Sequence, residues 1–129
     1  MSCYISEHFI VIDGLSWLLN ILNNYTEYEQ HTISYTLDAI DILSGVHELL
    51  TTQHIADLIP ALKKLIYGVS DGGIHQEVTA ILCNIHVSGE LANTVAEIIA
   101  HVLSFPEADA AVILNSLGCL AQLLEDNEE

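Results

Sequence analysis

The chain has 129 residues, a formal net charge of −16, and 51% apolar side chains with a mean hydropathy of +0.43. Its eighteen acids face only two bases, the adjacent Lys63 and Lys64, and it contains no Arg. A chain so poor in cations cannot neutralise phosphates, so direct nucleic-acid binding is not expected. No stretch reaches the roughly 18 consecutive apolar residues of a membrane span. The start, MSCYISEHFIVID, has an acid and no base, so a signal peptide is not expected and the reading is cytoplasmic.

The predicted elements, in chain order, are helices. Leu15, Leu18, Leu19 and Leu22 recur at three and four, with Trp17 and Ile21 widening the buried face of a first helix. Ile33, Leu37, Ile40 and Leu43 mark a second. Ile55, Leu58, Ile59, Leu62, Leu65 and Ile66 mark a third, and Ile74, Val78, Ile81, Leu82 and Ile85 a fourth. Leu91, Val95, Ile98, Ile99 and Val102 give a fifth; Ala110, Leu114, Leu117 and Ala121 give a sixth. Strict alternation never persists long enough for a strand.

Punctuation falls between these segments. Thr26 with Glu29, and Ser104 with Glu107, have the spacing of capping boxes. Asp71 is placed to cap the helix starting near Gly73, and Gly68 to end the one before. Ser44-Gly45 and Ser88-Gly89 are read as closing the second and fourth helices. Cys83 and Cys119 sit in apolar helical segments and, like Cys3, lack metal spacing, so buried free thiols are expected. The Asn24-Tyr25-Thr26 sequon carries no weight without a secretory signal.

Helix pairs begin near Leu15, Ile59 and Val95, a spacing of roughly forty residues that belongs to helical solenoids. One constant offset lays Ile59 on Val95, Leu62 on Ile98, Val78 on Leu114, Ile81 on Leu117 and Cys83 on Cys119. Residues 59–66, IPALKKLI, resemble the second-helix signature of armadillo repeats. Ala80-Ile81-Leu82-Cys83-Asn84-Ile85 is similar to the end of their long third helix, and Phe9 to Leu22, broken at Asp13-Gly14, to their first junction. The resemblance implies an all-α, right-handed solenoid of about three armadillo- or HEAT-like repeats over residues 1–124, followed by an acidic tail, 125–129. Its third helices, about 28–43, 73–87 and 107–124, would line a concave groove. Armadillo proteins that grip basic peptides repeat a Trp and an Asn on that helix. Asn84 matches the Asn, but Ala80 stands at the Trp position and Leu120 at the next Asn position, so nuclear-import-type binding does not carry over.

The groove candidates are Tyr28, His31, Tyr35, Asp38 and Asp41 on one helical stripe, with His75 and Asn84 on the next third helix. An aromatic and acidic stripe of this kind suits a protein partner that is itself basic. Glu125, Asp126, Glu128 and Glu129 form a second acidic element, expected as a solvated terminus that does not extend the last helix far. Terminal apolar faces around Phe9, Ile10 and Ile12 point to self-association or to a partner that covers them. No metal or cofactor is expected: His47-Glu48-Leu49-Leu50-Thr51 lacks the second His of HExxH, and His75 and His86 lie about three turns apart. No nucleophile or phosphate-loop motif is present, so the expected role is a non-catalytic adaptor. The alternative is an acidic mimic of nucleic acid that inhibits a DNA- or RNA-binding enzyme. Mimicry needs acids in phosphate-like rows, whereas an adaptor needs an apolar or aromatic patch.

Overall fold

The computed structural model describes residues 3–128, and all the regular structure among them is helical. The helices are α1 (Cys3–Val11), α2 (Gly14–Asn23), α3 (Gln30–Ser44), α4 (Thr52–Gly68), α5 (Gly72–Leu82), α6 (Glu90–Leu103) and α7 (Ala110–Asp126), with a 3-10 turn at Tyr25–Glu27. They form three pairs, α2/α3, α4/α5 and α6/α7, stacked side by side. One layer runs α2, α4, α6 and the other α3, α5, α7. Short connections produce this order, because a chain reversing within a few residues must lay each helix against the one before.

The centre of the stack is α4, where Leu58, Ile59, Ala61, Leu62, Leu65 and Ile66 are all at most 1% exposed. The three-four spacing gives α4 one apolar face wide enough to meet α2, α6 and α5 together. The core rows read in α3 and α5 are likewise buried. The helix α4 runs unbroken through Pro60, which is exposed. A proline there removes one amide donor from the ladder.

Helix α1 adds a cap beside α2, with the two axes bent by 73°. Asp13 makes the bend in a left-handed conformation (φ 65°) and accepts a hydrogen bond from Ser16 Oγ at 2.8 Å. The Phe9 ring lies where any side chain on Gly14 would stand, which seats α1 on α2. The Tyr25 hydroxyl occupies the same place over Gly68. No single helix is long and apolar enough to cross a membrane.

The caps depart from expectation in three places. Thr26 falls in the 3-10 turn, and α3 starts after Glu29 with no side-chain cap. Ser104 ends α6, its hydroxyl donating to His101 O at 2.6 Å, while Asp109 caps α7 by accepting from Val112 N at 2.9 Å. Ser88-Gly89 does not close α5, which stops at Leu82; Gly89 (φ 64°) instead opens α6. Thr51 and His54 make a capping box in which His54 Nδ1 accepts from Thr51 N at 3.0 Å. The imidazole replaces the usual Glu or Gln.

Asp71 caps α5 as expected, accepting from Ile74 N at 3.0 Å, and also accepts from Gln30 Nε2 at 2.9 Å. The amide of Ile74 holds its carboxyl below the usual range. Asp71 therefore closes a helix end and ties α3 to α5. Asp71→Ala is expected to cost about 1 kcal/mol, near the typical value for a lost N-cap. A urea midpoint that does not move would show the cap to be replaced by water.

The largest correction concerns α7. The constant offset buries Leu114 and Leu117, yet these are 73% and 51% exposed, and the core is made by Val112, Ser116, Cys119 and Leu123. Those four match Ile74, Val78, Ile81 and Ile85 of α5 at an offset two residues larger. The connection into α7 is longer than the one into α5. Two residues turn a helix by roughly 200°, which exchanges its inner and outer faces. Trp17 is corrected for a related reason: it is 77% exposed, pointing away from the row Leu15, Leu19, Leu22.

Candidate functional site

The outer surface of the α3–α5–α7 layer gathers most of the residues singled out in the sequence. On α3, His31, Tyr35 and Asp38 are exposed in one row, with Tyr28 just before the helix and Ile42 continuing it. Tyr35 is 72% exposed and Ile42 67%, large apolar surfaces that none of the described residues covers. On α5 and just past it the corresponding positions are Gln76, Ala80, Cys83 and Asn84, all shorter. On α7 they are Leu114, Gly118 and Ala121. Short side chains on the middle helix lie between larger ones on α3 and Leu114 on α7, and this strip is called the trough below.

Polar contacts hold the three helices in register along this surface. Asn84 Nδ2 donates to Asp41 Oδ1 at 2.8 Å and to Ser44 Oγ at 3.1 Å, linking the end of α5 to the end of α3. Gln122 Nε2 of α7 donates to Ile85 O at 2.6 Å, and the Cys83 thiol donates to Asn115 O at 3.2 Å. Asp41 and Asn84 thus belong together, as a clamp that fixes the floor. A cleft of about 400 Å³ opens beside it, lined in part by Gly45, His47, Leu49, Asn84 and His86.

His75 does not belong to this surface. It is 3% exposed, with Nε2 2.9 Å from Val69 O and its ring edge-on to Phe105 at 4.9 Å. The apolar row of α5 turns position 75 inward, so the reading of His75 as a groove residue is corrected to a core contact. Helix α7 runs only two residues into the acidic tail, to Asp126, in line with the expected early stop. Asp126 Oδ2 lies 2.7 Å from His86 Nδ1, and Asn127 Nδ2 donates to Val87 O at 3.0 Å. These contacts tie the last turn of α7 to the segment that follows α5. Glu125 and Glu128 are exposed, and Glu129 lies outside the described residues.

Charge sets the character of the trough. Both lysines are on α4, in the other layer: Lys63 Nζ pairs with Glu97 Oε1 at 3.0 Å, and Lys64 Nζ donates to Asn23 O at 2.7 Å. The α3–α5–α7 layer therefore holds carboxylates and histidines with no Lys or Arg. Glu77, unremarked in the sequence, reaches from α5 toward Asp38 and Ser34 of α3. Its half-burial, and then the hydrogen bond and charge of Asp38, push its carboxyl up to about 7.

A carboxyl raised on folding binds its proton more tightly in the folded state. The stabilisation is present below its unfolded pKa and is lost as pH rises through about 7. Glu77→Gln is accordingly expected to raise the melting temperature at pH 8 by a few degrees and to change little at pH 4.5, by calorimetry across the series. A difference that grows toward acid would contradict the pairing.

The two cysteines of α5 and α7 meet as neighbours. The hydrogen bond from Cys119 brings the half-buried Cys83 thiol down to about 7 against the opposing effect of burial, and pushes the buried Cys119 thiol up. Both are free; Cys119 is buried as expected, whereas Cys83 is only partly buried. No three His, Cys, Asp or Glu side chains among the described residues are grouped to hold a metal ion.

Ile42 and Glu77 are the surface residues that sequence reasoning missed. Ile42 lies seven positions after Tyr35, so the helix period alone extends the stripe to it. Glu77 carried no such signal, since its environment depends on the register between α3 and α5. Compared with protein-family models, with curated proteins and with solved structures, the chain matches none.

Proposed function

We propose that the chain is a non-catalytic protein-binding module, a short solenoid of armadillo- or HEAT-like repeats that takes a basic segment of a partner protein in the trough of the α3–α5–α7 layer. The observation that carries this reading is the composition of that layer: exposed Tyr35 and Ile42 stand among carboxylates, with no Lys or Arg to oppose a cationic partner. Aromatic and aliphatic anchors contribute contact energy, while the surrounding charge steers encounter and selects the partner. Asp38 supplies an acid beside Tyr35, and the Asp41–Asn84 clamp keeps the floor fixed.

The paired, two-layer stack supports the repeat reading. An unbroken α4 makes the middle unit a helix pair, nearer the HEAT pattern than the three-helix armadillo unit; only α1, α2 and α3 form a triplet. Inhibition by nucleic-acid mimicry fits less well, because Tyr35 and Ile42 interrupt any row of carboxylates on this face.

The test is affinity purification on immobilised protein, with the bound fraction eluted by a salt step and identified by mass spectrometry. Proteins with Lys/Arg-rich segments, released by salt and lost with Tyr35→Ala, are the expected result. Recovery of DNA-binding enzymes displaced by duplex DNA, and indifferent to Tyr35→Ala, would favour mimicry instead.

A further inference from the structure

A second surface, independent of the trough, lies at the end of the stack. Ile113, Leu117 and Leu124 of α7 are 40%, 51% and 65% exposed. Asn115 and Gln122, which bond to α5, fix the direction of that face. The three apolar residues lie roughly 180° around the helix from them, pointing away from α5. Leu103, near the end of α6, adds a side chain 36% exposed.

The face repeats a relation already made twice within the chain. Helix α5 packs on α3 through one side and receives α7 on the other. Helix α7 packs on α5 through one side and presents an apolar row on the other, where the next helix of the layer would sit. The residues between Asp109 and Glu125 are also the longest uncharged run in the sequence. A basic partner finds no carboxylate to pair with along it. What fits is another uncharged helix face, and the chain itself supplies one.

The chain's other uncovered apolar end, with Tyr4, Ile5, Val11 and Ile12, carries Glu7 and adjoins Asp13. Docking it onto α7 would be a head-to-tail contact that builds rings or open filaments, whereas α7 against α7 closes after two copies. We propose that two copies associate through the α6–α7 end face, with α7 packed antiparallel on its counterpart about a two-fold axis. Leu117, midway along the uncharged run, then lies near its own symmetry mate. The contact is one helix face, at the small end of specific interfaces, so a weak dimer is expected. Antiparallel packing brings Glu107 and Asp109 of one copy toward Glu125 and Glu128 of the other, so added salt tightens the dimer. Salt weakens docking of a basic segment, so the two surfaces answer salt with opposite sign.

Sedimentation velocity over a concentration series, at low and high NaCl, tests this. A monomer–dimer equilibrium is expected, stronger at high salt and with no larger species. Leu117→Glu should raise the dissociation constant at least about tenfold, while Val11→Glu should leave it unchanged. Leu124→Glu serves as a second variant should the first fail to fold, as judged by circular dichroism. A wild-type chain monomeric at every concentration would overturn the proposal. So would growth beyond the dimer that Val11→Glu abolishes, or association indifferent to both α7 variants.

Discussion

Leu62→Ala is expected to remove about 2–5 kcal/mol of stability, the range for truncating a buried leucine whose surroundings cannot close around the cavity. Leu62 is fully buried on α4, the helix that touches α2, α5 and α6. Relaxation toward the cavity would have to move two neighbouring pairs at once. A domain of this size has only about 5–15 kcal/mol in total, so one substitution would consume a large share of it. Ile42→Ala, at a site 67% exposed, should by contrast stay within about 0.5 kcal/mol. Urea denaturation followed by circular dichroism distinguishes the two variants. Equal midpoints would mean that α4 is not the centre on which the stack depends. Trp17 fluorescence is a poor probe for this, since Trp17 is exposed and lies on α2.

Reversing Asp38 and Asp41 together to Lys should slow association with a basic partner by roughly tenfold or more at low ionic strength, within the range that electrostatic steering commands. Both side chains lie on α3 beside Tyr35 and Ile42, so the change inverts the local field where a cationic segment would arrive. The difference should shrink as salt rises, because the Debye length falls to about 8 Å at physiological strength. Asp41 also accepts from Asn84, so Asp41→Asn is the control that removes the charge while keeping a group able to hydrogen-bond. Reversing Glu125 and Glu128 should have less effect, since these acids lie at the end of α7, away from the Tyr35–Ile42 stripe. Stopped-flow rates across a salt series give the comparison. A salt-independent rate in every variant would remove steering from the account.

The helices and most core rows were legible in the sequence because apolar periodicity is local. Leu15, Leu19 and Leu22, like Ile33, Leu37, Ile40 and Leu43, state their inner face without reference to any other helix. The last helix was not legible in this way. In α7 both faces are apolar, so periodicity alone cannot choose between Val112–Ser116–Cys119–Leu123 and Ile113–Leu117–Leu124. The choice rests on the length of the preceding turn, and a repeat offset carried over from α4 and α6 selected the wrong side. Caps failed for a related reason. Thr26–Glu29 and Ser104–Glu107 have the right spacing, but the chain reaches helical geometry only after Glu29 and after Asp109.

The candidate surface was partly legible. Tyr28, His31, Tyr35 and Asp38 share a stripe by helix geometry, and the structure leaves that stripe exposed. The pairing of Asp41 with Asn84, and of Glu77 with Asp38, depends on how α3 and α5 slide past each other. No spacing within one helix encodes that register. His75 shows the same dependence in reverse, since a polar residue near the start of a groove helix was drawn inward by Val69 O and Phe105.

The most direct test of the central claim is selection from a library of displayed peptides on wild-type protein, on Asp38→Lys/Asp41→Lys, and on Tyr35→Ala. The account predicts that wild type enriches peptides combining Lys or Arg with an apolar or aromatic residue. The charge-reversed protein should lose that enrichment, and Tyr35→Ala should lose the apolar preference while keeping the basic one. Enrichment of peptides without basic residues, unchanged in both variants, would contradict the assignment of the α3–α5–α7 trough as the binding surface.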